Sequence, residues 1–218
     1  MKVYLADISN MSNESYLELL QMMPQSRIDK ISRYKQDADK KRSLAAMALL
    51  INAAKYYGIT NFDIVEESNG KPHFVKGTDL QFNLSHSGEK VMCTIDTHPV
   101  GCDIQEMGEI KLAVAKRFFS QEEYELISSL NSKEEKKEMF YRLWTLKEAY
   151  IKATGEGLSR ELNSFSFDIE LNSQKLIKGI NTDGYVFFEG SIDNYRYAIC
   201  SNNMRLEKKP ITIEEIIF

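Results

Sequence analysis

The sequence predicts an α+β protein made of two packed halves, and three observations predict it. A long apolar helix signal is followed by three short strand signals in the first half. A second long helix followed by three strands fills the second half, with no visible sequence repeat to match. No low-complexity stretch or Pro/Gly-rich linker separates the two, since the four prolines are scattered. Halves of this kind pack together and leave a cleft, a common place for a ligand.

Each element has a local reason. The first long helix follows Asp37 and runs through "ADKKRSLAAMALLINAAKYY" to Gly58, a C-terminal stop. Its middle is apolar nearly all round, which predicts burial on several sides. "FDIVEE" (62–67), "LQFNLS" (80–85) and "KVMCTID" (90–96) are rich in β-branched and aromatic residues, and Ser87-Gly88 marks a turn between the last two. "VGCDIQEM" (100–107) reads as another short strand, and "IKLAVAKRFF" (110–119) as a helix. "SQEE" from Ser120 to Glu123 has capping-box spacing for the next helix. "SKEE" from Ser132 to Glu135 repeats the signal and opens "EEKKEMFYRLWTLKEAYIKATG" (134–155). "SFSFDIEL" (164–171), "GYVFFEG" (184–190) and "YRYAICS" (195–201) complete the strands. The division falls between 1–100 and 101–218.

Composition narrows the function. The chain has 218 residues, 43% hydrophobic and 28% charged, enough for one large core or two small ones. A formal charge of -4 lacks the basic excess of a dedicated nucleic-acid binder. "MKVYLADISN" carries no apolar region of signal-peptide length, and the longest apolar run, Leu44 to Ile51, is too short to span a bilayer. Cys93, Cys102 and Cys200 are odd in number and lack metal-ligand spacing, as suits reduced thiols in a cytoplasmic protein. His73, His86 and His98 lack the spacing of a helical zinc site.

Four stretches could carry chemistry. On a strand, Asp103 and Gln105 share one face while Cys102, Ile104 and Glu106 take the other. Gly101 beside them admits a close backbone or ligand. Two such oxygen-bearing side chains suit Mg²⁺, although this stretch taken alone favours a plain strand end. Ser85-His86-Ser87-Gly88 can hold a phosphate through N–H, hydroxyl and imidazole groups, or can be an ordinary hairpin. The run from Arg27 to Arg42, with Lys30, Arg33, Lys35, Lys40 and Lys41, reads as a solvated face. Arg42 and Ser43, however, stand where the helix turns apolar, and arginine grips phosphate with two parallel hydrogen bonds. On the second long helix, Phe140, Leu143, Leu146, Tyr150 and Ile151 form one apolar side. Glu148 and Lys152 fall together on its flank, with Trp144 one turn before Glu148. Lys147 projects into the apolar sector, which is odd for a lysine unless its head escapes or finds a partner.

The order and combination of these segments are what point to a family. "NGKP", "FNLSHS", "VGCDIQ", "FFSQEEY" and "LWTLKEAYIKATGEGLS" resemble the Sfp-type 4'-phosphopantetheinyl transferases. The resemblance runs from about Arg27 to Phe167 and is strongest over 81–159. Gly101-Cys102-Asp103 matches the family's G-x-D strand. Trp144 to Lys152 matches its W-[ST]-x-K-E-[AS]-x-x-K helix.

The resemblance implies a pseudo-two-fold pair of similar α+β halves, each a long helix packed on a small, mostly antiparallel sheet. It implies a Mg²⁺-dependent holo-[acyl-carrier-protein] synthase activity. Such an enzyme moves the phosphopantetheine arm of coenzyme A onto a serine of an acyl or peptidyl carrier protein, releasing adenosine 3',5'-bisphosphate. By similarity Asp103, Gln105 and Glu148 form the metal site, with Gln105 standing where the family commonly has an acid. Lys152 neutralises the transferred phosphate, and Glu148, a water held by it, or Glu123 serves as base. Arg42, Ser43, Ser85 and His86 contact the phosphates, Lys71 and Pro72 line the adenine pocket, and Lys30 is a weaker charge contact. Lys111, Lys116 and Arg117 form a basic helix that could meet an acidic carrier, in fatty-acid or antibiotic assembly, or could equally be a solvated face. Neither nucleic acid nor membrane is expected as a partner, and the resemblance implies a monomer. Two other classes compete: a catalytically weak coenzyme A- and carrier-binding protein, motivated by Gln105, and an unrelated metal-dependent phosphohydrolase.

Overall fold

A computed structural model describes residues 1–66, 70–75, 78–169, 177–206 and 211–218. In chain order, the first half holds β1 (Lys2–Asp7), α1 (Asn13–Gln21), α2 (Gln25–Ser32) and α3 (Asp37–Tyr56). After these come β2 (Ile64–Glu66), β3 (Pro72–Phe74), β4 (Gln81–Ser87), β5 (Lys90–Asp96) and β6 (Val100–Glu106). The helices α4 (Leu112–Phe118), α5 (Gln121–Ser129) and α6 (Lys133–Thr154) follow. Last are β7 (Ser166–Asp168), β8 (Lys178–Ile180), β9 (Val186–Ile192), β10 (Tyr195–Ser201) and β11 (Ile213–Ile217).

These elements stack as helix, sheet, sheet, helix. The first sheet has the order β11-β1-β5-β4 and the second β6-β10-β9. The helix α3 covers the outer face of the first sheet, where Leu44, Leu49 and Leu50 pack with Tyr4, Phe82, Cys93 and Ile95. Between the sheets, Val3, Leu5 and Met92 meet Cys102, Ile104 and Ile199. On the outer face of the second sheet, Leu143, Leu146, Tyr150 and Ile151 of α6 pack with Phe187, Ala198 and Cys200. A strand buried on both faces reads as a continuous apolar run, which is why "VYLA" in β1 shows no alternation.

The element types agree with the α+β expectation, but the strands assemble differently from the two sets of three. "FDIVEE" does not enter the main sheet; Ile64–Glu66 pairs with Pro72–Phe74 in a two-stranded ribbon, and its last residue lies outside the described residues. "SFSFDIEL" likewise forms a ribbon with β8, its last two residues again outside the described ones. The first sheet is completed instead by the chain's two ends: β1 pairs antiparallel with β5 and parallel with β11. Thus a strand from the expected second half, 101–218, belongs to the first half's sheet. Neither end strand alternates cleanly between apolar and polar residues, so neither announces itself in sequence.

Both capping boxes form. The Ser120 hydroxyl accepts from the Glu123 N–H while Glu123 accepts from the Ser120 N–H, and Ser132 with Glu135 repeats the pattern. The helix α6 ends at Gly155, whose φ of 76° lies in the left-handed region that favours glycine.

Besides the apolar core between the sheets, a polar zip between β4 and β6 joins the halves. Asn83 Oδ1, Ser85 Oγ and Ser87 Oγ accept from the backbone N–H groups of Cys102 (3.0 Å), Ile104 (3.2 Å) and Glu106 (3.0 Å). The second-residue period of a strand sets those three side chains on one face, with Phe82 and Leu84 turned to the other core. Within the second half, the sheet and its helix meet most closely at Gly101, where an added Cβ would lie 2.1 Å from the Ala149 carbonyl oxygen and 2.6 Å from the Ala153 nitrogen. The absent side chain lets α6 lie directly on β6. Gly101→Ala is therefore expected to destabilise the protein by about 1–3 kcal/mol or more, because the obstructing atoms are backbone. A fall in the urea unfolding midpoint at unchanged slope checks it.

Candidate functional site

The close approach at Gly101 sets the geometry of everything beside it. Two residues further along β6, Asp103 points to the α6 side of the sheet and is 1% exposed. The partly open flank of α6 presents Glu148 and Lys152, one turn apart, to the same place. Lys152 Nζ lies 2.6 Å from Asp103 Oδ1, and the Ser85 hydroxyl donates to that same oxygen at 2.8 Å. The Gln105 amide donates to Asp103 Oδ2 at 3.0 Å. Lys152 also reaches Ser85 Oγ at 3.2 Å and the Cys102 carbonyl at 3.4 Å.

These side chains close one end of a cleft of about 330 Å³ between the halves. Asp103, Gln105, Glu148, Lys152, Ser85, His86, Ser43, Pro72 and Lys30 all line it, although they come from six separate elements of the chain. Ala46, Ile64, Phe82 and Leu84 add apolar surface to its lining, which also carries Arg27, Tyr34 and Glu66.

The charges are coupled. Burial raises the Glu148 carboxyl above its ordinary value, the nearby Asp103 charge pushes it further, and Lys152 offsets only part. Burial opposes the Lys152 ammonium, yet Asp103 and Glu148 more than compensate and its pKa is raised. The His86 imidazole is exposed on the cleft lip, but protein atoms crowding its inner side lower its pKa, as do the Arg42 and Lys152 charges. The lowered pKa biases the His86 ring towards its neutral form.

Three expected contact residues are engaged with other protein groups, and two of them lie outside the cleft lining. Arg42 is held by Asp39 (2.6 Å) and donates to the Gly88 carbonyl (3.0 Å), beside His86 but outside the cleft lining. Lys71 donates to the Ala153 carbonyl of α6 at 2.6 Å and does not line the cleft. Lys30, which does line it, pairs with Glu66 at 2.8 Å.

Glu123 is the clearest departure from the expected base. It is 2% exposed and pairs with Lys147 at 2.8 Å, while its carboxylate also accepts from the Ser120 and Phe167 N–H groups. It lines a different cavity, with Leu126 and Phe167, away from Asp103. Its bonds tie α5, α6 and β7 together, and it does not line the cleft. This pair also answers the oddity of Lys147: its fully buried head donates to the Leu162 and Phe165 carbonyls, each at 2.7 Å. Trp144 stacks on Phe140 with ring centroids 5.8 Å apart and packs against the second core, as a plain core residue does.

Two groups are not marked by the sequence as a junction or as a cleft wall. The zip residues Asn83 and Ser87 were signalled only by polar residues at every second position of an otherwise apolar strand. Arg27 and Tyr34 sit in a basic run indistinguishable in sequence from a solvated face.

Comparison with known proteins fits this arrangement. Residues 99–200 match the model described as "4'-phosphopantetheinyl transferase superfamily", and residues 10–98 match "4'-phosphopantetheinyl transferase, N-terminal". The 4'-phosphopantetheinyl transferase Sfp of Bacillus subtilis is 33% identical over 199 residues, covering 89% of this chain and 87% of that protein. The chain belongs to the 4'-phosphopantetheinyl transferase superfamily. Also similar are a second Bacillus subtilis 4'-phosphopantetheinyl transferase, 34% identical over 79% of each chain, and a relative from Aneurinibacillus migulanus. The latter, 4'-phosphopantetheinyl transferase gsp, is 35% identical over 78% of this chain and 72% of that protein. In this transferase the two family matches meet between 98 and 99, just before β6 brings Asp103 into the cleft.

Two substitutions separate fold from site. Glu123→Gln leaves a buried lysine without its counter-charge and should cost about 3–5 kcal/mol, read by urea unfolding. Glu148→Gln should instead raise the unfolding midpoint at pH 7 in metal-free buffer. The Glu148 pKa is raised in the folded state, so ionised Glu148 disfavours folding above that raised value. Below its unfolded value, near pH 4, the penalty vanishes, and with it the gain. A gain that grows as the pH falls would contradict the assignment.

Proposed function

We propose that this chain transfers the 4'-phosphopantetheine group of coenzyme A to a serine of an apo-carrier protein, acyl or peptidyl. The observation that carries the reading is the convergence of Asp103, Glu148 and Lys152 in one cleft within a chain of this family. The carrier's serine oxygen bonds to the phosphorus bearing the pantetheine, the bridging P–O bond of the diphosphate breaks, and adenosine 3',5'-bisphosphate leaves with the bridging oxygen. Lys152 neutralises charge on the transferred phosphate, a reaction that needs positioning and charge stabilisation more than covalent help. The serine proton goes to Glu148, directly or through one water that it holds. Its raised pKa makes it a better acceptor than an ordinary carboxylate. Ser43, Ser85 and His86, which line the same cleft, would face the phosphates of coenzyme A, and Pro72 would border the adenine.

Mg²⁺ belongs to the same proposal. Among the described residues no group of three or more His, Cys, Asp and Glu side chains gathers, so a metal here would rest on two carboxylates and waters. That donor set fits Mg²⁺, which takes oxygen ligands and keeps several waters. The mutual repulsion that raises Glu148 also favours a dication between the two acids. Asp103 and Glu148 would hold the ion, and the Gln105 amide oxygen could ligate it or hold one of its waters without adding charge. When bound, the ion would polarise the diphosphate oxygens and steady the leaving bisphosphate. The site is complete within one chain, which fits a monomer. Its three cysteines are free and buried, which fits a reducing cytoplasm. No helix among the described residues is long and apolar enough to cross a membrane.

The deciding experiment mixes the protein with an apo-carrier, coenzyme A and Mg²⁺ and weighs the carrier by mass spectrometry. A gain equal to one phosphopantetheine group is expected, and Asp103→Asn should slow it at least about a hundredfold. Coenzyme A binding with no change in carrier mass would favour a binding protein instead. Gln105→Glu should lower the Mg²⁺ concentration for half-maximal rate, because it returns a negative charge to the metal site. An unchanged Mg²⁺ titration would count against Gln105 as a member of that site.

A further inference from the structure

Asp103 is a carboxylate at 1% exposure, a position where an isolated charge is costly. Three donors satisfy it: Lys152 and Ser85 on Oδ1, Gln105 on Oδ2. Of the three only Lys152 carries charge, and it also feels the charge of Glu148. Its ammonium thus serves both acids, the pair assigned above to the metal. The two neutral donors come from strands β4 and β6, one of them fixed to the backbone through the zip. Lys152 differs: its head sits on a flexible stem and its side chain is 28% exposed towards the cleft, so it can leave without any backbone movement.

We propose that Lys152 is an internal stand-in cation. It holds Asp103 in the ligand-free protein and gives it up when a divalent cation and the diphosphate of coenzyme A enter together. The inference deepens the metal reading above and rests on it. A dication arriving alone would push the ammonium off Asp103 and leave it unpaired beside another positive charge. If the diphosphate is present, the displaced ammonium gains phosphate oxygens as partners. Metal and coenzyme A therefore bind cooperatively, and linkage requires each to tighten the other by the same factor. Ser85 and Gln105 keep the Asp103 carboxylate oriented while its charged partner is exchanged.

The test measures Mn²⁺ affinity by the paramagnetic resonance signal of free Mn²⁺, corrected for Mn²⁺ bound by coenzyme A itself. Wild type, Lys152→Met and Lys152→Arg are compared with and without coenzyme A. Wild type is expected to bind Mn²⁺ weakly alone and at least about tenfold more tightly with coenzyme A. Lys152→Met should bind about tenfold more tightly than wild type without coenzyme A and lose most of the coupling, while Lys152→Arg behaves like wild type. Equal or weaker coenzyme A-free binding by Lys152→Met overturns the stand-in role and leaves the metal reading intact. Wild type that binds Mn²⁺ in neither condition overturns the metal reading itself. Should Lys152→Met fail to fold, wild-type crystals with Mn²⁺ and coenzyme A give the answer. Lys152 Nζ is expected on a diphosphate oxygen; finding it still paired with Asp103 overturns the inference.

Discussion

The close approach of α6 to β6 at Gly101 is the contact on which the rest of the structure depends. A helix normally stands off a sheet by the length of the side chains between them. Here one missing side chain lets the Ala149 and Ala153 backbone rest on the strand. The consequence is that the short side chain of Asp103 can pair with Lys152 of α6 across a layer boundary that usually holds only apolar side chains. Asp103 has one carbon between its backbone and its carboxylate, yet it reaches the flank of α6.

The helix α6 divides its labour by face. One side supplies the second core through Leu143, Leu146, Tyr150 and Ile151. Lys147 lies within the buried part of that helix, and its charge is neutralised by Glu123 and capped by two carbonyls. The flank with Glu148 and Lys152 opens on the cleft. Two lysines on one helix therefore belong to two different ion pairs. Lys147–Glu123 is closed and makes structure, whereas Lys152–Asp103 is open to the cleft and can be exchanged. Burial and accessibility, not residue type, make that difference.

The zip between β4 and β6 does a related job for the two halves. Adjacent strand edges usually satisfy each other backbone to backbone. In this junction, three side-chain oxygens of β4 satisfy the N–H groups of β6, and the halves are joined by bonds of defined register. Ser85 belongs to both systems, since its single hydroxyl accepts from Ile104 and donates to Asp103. The cleft wall and the charge cluster are thus tied to the same atom.

Sequence by itself determined the two long helices, their capping boxes, the strands from 80 to 106, and the pairing of Asp103 with Gln105 on one strand face. It also placed Glu148 and Lys152 one turn apart. Those features are local: they follow from periodicity, capping chemistry and turn residues within a few positions. It had no means of showing that Glu123 and Glu148, both acids on helices, would be spent on opposite tasks. Nor did it show that the chain's ends would complete the first sheet, or that Arg42 and Lys71 would turn to backbone carbonyls. Each of those outcomes is set by contacts between residues tens to hundreds of positions apart, where the chain's path, not its local pattern, chooses the partner.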